Sequence, residues 1–169
     1  MARKSGKKNV GKTVGIIALA AVLVVGATAG IAALVNHEDD GFDKVSVRYE
    51  FGGLNDSGKY VESEATLYTK EGFEVEGRTV FADIDFDAQI TYQLFYYDEN
   101  DAFIESTAVL TDDYKEEAPD GAIYARVEIT PVWSEDTKKD DQKVTWLNKG
   151  GFADQLKLNV SEAEEAEEE

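Results

Sequence analysis

The alternation of apolar and polar residues between Val80 and Tyr96 is the strongest constraint on the fold of this 169-residue chain. Every even-numbered residue in that stretch is apolar or aromatic, whereas the odd-numbered residues are mostly Asp, Gln and Thr. A period of two residues is typical of a β-strand that buries one face. Because strands are usually about 3–10 residues long, we expect a break in this stretch near Asp87 and Ala88.

The same period recurs in residues 45–51, 123–129 and 156–160, and no segment after residue 41 has a convincing helical repeat. Turn-forming residues separate these stretches: Gly52-Gly53, 98–101, Pro119-Asp120-Gly121 and Lys149-Gly150-Gly151. Several short alternating strands with such turns are typical of an antiparallel sandwich. The sequence therefore predicts an all-β domain over residues 42–160, an antiparallel, jelly-roll-like β-sandwich.

Two segments resemble parts of known surface modules. Residues 96–104, YYDENDAFI, resemble a hairpin that reads F-Y-D-x-x-G-x-F-I in bacterial and phage surface proteins, and residues 119–127, PDGAIYARV, are similar to their P-x-G-A-x-Y-x-R-V strand. Those modules are jelly-roll β-sandwiches of the galactose-binding-like or carbohydrate-binding-module type. The resemblance implies this fold but specifies no ligand. Asp101 stands where the family has Gly, so we expect it in the left-handed conformation that a bulged hairpin needs.

The charge pattern of residues 1–35 predicts a membrane attachment. Residues 1–13 carry five Lys or Arg and no acid, and residues 14–35 carry no charge. A helix over 14–35 would be about 33 Å long, enough to cross a hydrocarbon core of about 30 Å. Because basic flanks stay inside, we predict a basic cytoplasmic tail at 1–13, a transmembrane signal anchor at 14–35 and an extracytoplasmic remainder.

A cleaved signal peptide is the alternative to the anchor. Ala27-Thr28-Ala29 has the small-x-small form of a cleavage site, although the apolar run continues beyond it. Both interpretations place the domain outside the cytoplasm. If the segment is retained, Gly26 and Gly30 have the G-x-x-x-G spacing that lets two helices approach, which would favour a homo-oligomer.

The predicted domain is flanked by two polar segments. Residues 36–41 form a short polar linker, and residues 161–169 contain six Glu. A block of like charges repels itself and cannot pack, so we predict a disordered acidic tail at 161–169. The short linker holds the domain close to the outer membrane surface.

Composition excludes several classes of function. The chain has 17 Lys and Arg against 35 Asp and Glu, a formal net charge of −18, so it lacks the basic surface of a nucleic-acid-binding protein. It has no Cys and one His, His37, which leaves no Cys nucleophile, no thiolate metal site and no usable His for a triad. We therefore predict a protein that is not an enzyme and that needs no cofactor.

Acidic strings are the only metal candidates in the sequence. Asp83, Asp85 and Asp87 lie on one face of a predicted strand, which favours a solvated surface over a calcium loop. Residues 98–101 favour a hairpin turn in the same way, because Asp and Asn stabilise turns. A structural calcium held by Asp39, Asp40 or Asp43 stays open.

Aromatic residues are the candidates for ligand contact. Phe95, Tyr97 and Tyr124 fall on the polar side of their strands, and Trp133 follows Pro131 in a polar loop. Flat exposed rings stack on sugars, whereas the alternative for the strand residues is a strand covered on both faces. Trp146 shares the parity of Val144 and is predicted in the core.

These patterns predict a non-enzymatic binding module, anchored in a cell membrane with its C-terminal domain outside, that recognises glycan or another cell-envelope ligand. The alternative is an accessory or scaffold subunit of a membrane-proximal protein complex. A glycan signal would favour the first function, and a stoichiometric protein partner the second.

Overall fold

The computed structural model describes residues 34–38 and 41–161. Within them the fold is all-β, as predicted, and every pair of neighbouring strands is antiparallel. In chain order the strands are β1 (Leu34–Glu38), β2 (Phe42–Ser46), β3 (Tyr49–Phe51), β4 (Gly53–Leu54), β5 (Tyr60–Val61), β6 (Leu67–Thr69), β7 (Phe73–Glu74), β8 (Thr79–Ile84), β9 (Ile90–Tyr97), β10 (Phe103–Ser106), β11 (Tyr114–Glu117), β12 (Tyr124–Pro131) and β13 (Leu156–Ser161).

Two large sheets contain most of these strands. The first has the order β1-β2-β13-β8-β11, so the last strand of the domain lies in its centre. The second has the order β10-β9-β12-β6-β3, and β7 also pairs with β12. A separate ribbon consists of β4 and β5. The helical elements are a single turn of 3-10 helix at Lys139–Asp141 and α1 at Lys149–Ala153, so the turn predicted at residues 149–151 is helical instead.

The hydrophobic core lies between the inner faces of the two large sheets. Val80 and Val160 of the first sheet and Val127 and Ile129 of the second are fully buried members of one cluster. Along β12, buried residues alternate strictly with partly exposed ones. The period of two in the sequence therefore records which side chains face the opposite sheet.

The predicted break in the long alternating stretch is confirmed. β8 ends at Ile84 and β9 begins at Ile90, and the residues between them carry the chain from the first sheet to the second. The backbone N–H of Asp85 donates to the carbonyl of Gln155 at 3.0 Å, and that of Ala88 donates to the carbonyl of Asp85 at 2.9 Å. This turn lies at the end of the sandwich where β13 begins.

The alternation in residues 45–51 predicts one strand, but the structure has two. β2 belongs to the first sheet and β3 to the second, and the chain changes sheets at Val47 and Arg48. Val45 and Tyr49 are both buried in the common core. Because the inner faces of both sheets look toward that core, the alternation continues through the change of sheet and hides it.

The predicted conformation of Asp101 is confirmed. Its φ of +63° makes it the one non-glycine residue with positive φ in the described part of the chain. The register of β9 with β10 shifts between Phe103 and Glu105, which is a bulge. The hairpin therefore follows the geometry expected for its turn residues.

The N-terminal predictions concern residues outside the described part. Residues 1–33, with Gly26 and Gly30, lie outside it, as do 39–40 and the acidic residues 162–169. None of the helices in residues 34–38 and 41–161 is long and apolar enough to cross a membrane. Residues 34–38 form β1, so the predicted bounds are wrong here: the strand includes Leu34 and Val35 of the predicted transmembrane helix and residues 36–38 of the predicted linker. Backbone pairing with β2 does not require apolar side chains.

Candidate functional site

Two of the rings that the sequence predicted as ligand contacts, Phe95 and Tyr97, are buried in the structure. Phe95 and Tyr97 lie on the outer face of the second sheet, yet each is only 2% exposed. They form a second hydrophobic cluster with Leu54 of β4 and with Tyr68. The arrangement found is therefore the alternative given above, a strand covered on both faces, and neither ring is available for stacking on a sugar.

The connection between β4 and β5 covers these rings through close backbone contact. The Tyr97 hydroxyl donates to the carbonyl of Gly58 at 2.6 Å. Gly58 has a φ of +65°, and a Cβ there would lie 2.5 Å from Phe103 and 2.7 Å from the Tyr97 hydroxyl. Only glycine fits this conformation and this space.

Tyr124, the third predicted strand ring, is half-buried in a polar cluster at the β9–β10 hairpin. Its hydroxyl donates to Oδ1 of Asp101 at 2.6 Å, and Nη2 of Arg126 donates to the same oxygen at 2.8 Å. The Arg126 guanidinium lies 4.5 Å from the centre of the Tyr97 ring, and the Tyr97 and Tyr124 rings stack at 5.5 Å. The cluster joins the tip of the hairpin to β12.

The tyrosines of this cluster stay protonated near neutral pH. Burial raises the pKa of Tyr97 to about 12 although Arg126 opposes the shift. Burial and the hydrogen bond to Asp101 also raise the pKa of Tyr124. The protonated Tyr124 hydroxyl can therefore donate to Asp101, and this hydrogen bond, together with that from Arg126, fastens the tip of the hairpin to β12.

The environments of the two tryptophans agree only in part with the prediction. Trp133, the predicted ligand contact, is half-buried against the core, with its ring 5.3 Å from that of Phe152. Trp146, predicted in the core, is 79% exposed. That prediction is wrong because Trp146 lies in a turn before α1, where the parity of a strand does not apply.

An exposed aromatic surface therefore forms around Trp146. We call Phe51, Trp146, Leu147 and Lys149 the Trp146 platform. The rings of Phe51 and Trp146 meet edge to face at 4.8 Å, and Nζ of Lys149 lies 5.2 Å from the centre of each ring. Leu147 is 99% exposed beside them. Phe51 orients the indole, and the ammonium group of Lys149 places a positive charge beside it.

Local hydrogen bonds hold the turn that presents the platform. Oδ1 of Asn148 accepts the backbone N–H of Thr145 at 2.7 Å, and its Nδ2 donates to the carbonyl of Lys143 at 3.1 Å. Lys143 in turn forms a 3.0 Å ion pair with Glu64. The turn is thus fixed before any ligand binds, which reduces the conformational entropy lost on binding. An oriented ring with a neighbouring ammonium group can stack on an apolar face and contact a polar or anionic group.

The acidic strings are engaged in turn and surface contacts. Oδ1 of Asp98 accepts the backbone N–H groups of Asn100 at 2.8 Å and Ala102 at 2.9 Å, the contacts of a turn. Asp83 and Asp85 are exposed and face Asn159 and Lys157 across the sheet. Among the described residues no group of three or more Asp, Glu, His or Cys side chains is placed to hold a metal ion. Asp39 and Asp40 lie outside them.

A polar cleft of about 670 Å³ lies at the other end of the sandwich, where β13 ends. Its lining includes the carboxylates of Glu76, Glu117 and Asp120. Arg78, also in the lining, donates to Asp43 at 2.7 Å and is largely buried with it. The cation is thus committed to the fold, and the cleft presents mainly negative charge.

Comparison with known proteins adds no relative. No family model matches this chain, and neither a curated protein nor a solved structure matches it. The function is therefore argued from the Trp146 platform and from the sequence alone.

Proposed function

We propose that this chain is a non-enzymatic binding module held on the extracytoplasmic face of a membrane, and that it recognises glycan through the Trp146 platform. The observation that carries this proposal is an indole that is 79% exposed and yet oriented by Phe51 and by a preformed turn. Because the indole is exposed, a ligand can contact it without displacing any residue of the two hydrophobic clusters. We therefore propose Trp146 as the ligand contact in place of Phe95, Tyr97, Tyr124 and Trp133, the rings that the sequence predicted.

The chemistry of the platform favours a sugar over an unspecific apolar ligand. The flat faces of pyranose rings carry C–H groups that pack on indole. Lys149, 5.2 Å from both rings, can donate to hydroxyl or carboxylate oxygens at the edge of a sugar. The combination favours a glycan that carries acidic or hydroxyl-rich substituents.

The strand order supports the finer proposal of a jelly roll. Four strands of the first sheet, β2-β13-β8-β11, face four of the second, β10-β9-β12-β6. Eight antiparallel strands distributed between two sheets in this interleaved order suit a jelly roll. This is the architecture implied by the resemblance of residues 96–104 and 119–127 to galactose-binding-like modules.

The membrane attachment is proposed from the sequence of residues 1–35. Because Leu34 and Val35 belong to β1, we propose an uncleaved span within 14–33 with the basic residues 1–13 inside, and self-association through Gly26 and Gly30. The test is a carbonate wash of membranes with external protease added. The full chain should stay in the pellet with residues beyond 36 cleaved, whereas a soluble chain beginning at Gly30 would favour the signal peptide.

The glycan proposal is tested with the full chain in detergent on a glycan array. Trp146→Ala should abolish specific binding and Lys149→Ala should weaken it selectively for acidic glycans. Tyr60→Ala is the matched control, because Tyr60 is also an exposed ring, 56% accessible, on the separate β4–β5 ribbon. Binding that survives Trp146→Ala, or that Tyr60→Ala removes equally, would contradict the assignment.

An accessory subunit of a membrane-proximal complex is the second candidate. The observation that favours it is β1, which is an edge strand of the first sheet in the described part of the chain. An edge strand can pair with a strand of another protein. Cross-linking in membranes that yields one stoichiometric protein partner, without any glycan signal, would support this function instead.

A further inference from the structure

Four exposed apolar residues lie at one end of the sandwich. We call Phe86, Val132, Trp146 and Leu147 the apolar tip. Phe86 and Leu147 are fully exposed, Trp146 is 79% exposed and Val132 is 50% exposed. These are four of the eight large apolar residues that the described part of the chain leaves exposed. Single exposed apolar residues are ordinary, but a group at one end indicates a contact surface.

Strand pairing places these four residues at the same end. Phe86 lies in the turn that follows β8, where Asp85 is hydrogen-bonded to Gln155 just before β13. Val132 follows β12, and its backbone N–H donates to the carbonyl of Gln89 at 2.8 Å, just before β9. Trp146 and Leu147 precede α1, which leads directly into β13.

The chain enters the sandwich at this end too. The first residue of β1, Leu34, pairs with Ser46 at the end of β2, and Val45 pairs with Leu158 near the start of β13. β1 then runs toward the opposite end, where Glu38 pairs with Phe42. The described part of β1 therefore begins at the end that carries the apolar tip, and the uncharged residues 14–33 come directly before Leu34 in the sequence.

We infer that the apolar tip contacts the lipid surface of the membrane to which the chain is attached. This inference rests on the membrane attachment proposed above, since it uses residues 14–33 as the reason for the orientation. A tryptophan beside a lysine suits the membrane interface, where the ring packs among the acyl-chain ends and the ammonium stays at the headgroups. The indole cannot pack among acyl chains and on a free sugar at the same time, so a sugar that contacts Trp146 in this orientation is one attached to a lipid headgroup.

The charges around the tip determine the type of lipid. Asp85 and Asp87 flank Phe86, and Asp85 lies 3.4 Å from Lys157. Lys149 stands beside Trp146. Positive and negative side chains are both present at the tip, so its contact with lipid should depend on the insertion of apolar side chains and should not require anionic lipid.

The two tryptophans of the chain provide an internal probe and its control. Trp133→Phe leaves Trp146 as the only indole, and Trp146→Phe leaves Trp133, which packs on Phe152. The full chain of each variant is reconstituted in phosphatidylcholine vesicles that contain lipids brominated near the top of the acyl chain. Because interfacial groups enter about 5–10 Å below the surface, Trp146 emission should shift to the blue and be quenched. Trp133 emission should not change.

A second variant tests whether the other tip residues hold Trp146 at the surface. Phe86→Ser with Leu147→Ser, in the Trp133→Phe background, should reduce the quenching of Trp146, and both side chains are fully exposed, so the fold is kept. Absent quenching of Trp146, or equal quenching of both tryptophans, would overturn the inference. If Trp146 is not quenched but glycan binding depends on it, the proposed function stands and only the orientation fails. Quenching without glycan binding supports the lipid contact and removes the glycan.

Discussion

The buried hydroxyl of Tyr97 allows a sharp test of whether its ring belongs to the fold or to a ligand site. Its hydrogen bond to the carbonyl of Gly58, 2.6 Å long and buried, connects β9 to the β4–β5 connection. Tyr97→Phe removes this bond and keeps the ring with its stacking on Tyr124. Because the Gly58 carbonyl is left without that donor, the free energy of unfolding should fall by about 1–3 kcal/mol.

Removal of the whole ring should cost more. Tyr97 is 2% exposed and packs with Phe95, Phe103 and Tyr124, so Tyr97→Ala should lower the free energy of unfolding by about 3–5 kcal/mol, the range for large buried aromatic residues. Urea unfolding followed by tryptophan fluorescence measures both values. The matched control is Tyr60→Ala, which removes an exposed ring of the ribbon. If Tyr97→Ala costs less than Tyr60→Ala, Tyr97 is not covered and the reasoning is refuted.

Three further predictions concern Gly58, Glu128 and the two tryptophans. Gly58→Ala should destabilise the domain by about 2 kcal/mol or more in urea, because its left-handed φ and the nearby ring of Phe103 leave no room for a Cβ; an unchanged midpoint would contradict this. Burial raises the pKa of Glu128 above its usual 4.5, so the folded state holds that proton more tightly. Stability should therefore fall as pH rises through the interval just above 4.5. Glu128→Gln should remove that part of the pH dependence, measured as the difference between unfolding free energies of wild type and variant. Trp133→Ala should lower the free energy of unfolding by up to about 5 kcal/mol, and Trp146→Ala by well under half of the Trp133→Ala value, as measured by thermal and urea unfolding. A larger loss for Trp146→Ala than for Trp133→Ala would contradict their assigned environments.

Local sequence carried enough information to predict the strands but not what covers them. The break after Ile84 and the left-handed Asp101 follow from periodicity and turn chemistry, which act over a few residues. The burial of Phe95 depends on a segment some forty residues earlier in the chain, around Leu54. Parity along a strand shows which face a ring is on, but it does not show whether a distant segment lies over that face.

The two tryptophans show a second limit of the same reasoning. Trp146 shares its parity with the buried Val144, but the chain turns at residues 146–148 and leads into α1, so strand parity does not hold there. The available signal was chemical: Lys143, Asn148 and two glycines surround the Trp146-Leu147 pair, a polar setting typical of a turn. Trp133 does lie in a polar loop, as its neighbours predict, but the packing of its ring on Phe152 is a long-range contact that local sequence does not show.

The central position of β13 in the first sheet has a consequence for how the protein is made. β2 and β8 obtain their shared neighbour only from residues 156–161, at the end of the described domain. While the chain is being synthesised, β2 and β8 therefore each keep one unpaired edge until residues 156–161 have emerged. Contacts so distant in sequence form slowly, and open edges attract other chains. The first sheet can therefore be completed only after residues 156–161 are available, and until then the edges of β2 and β8 stay open to pairing with other chains.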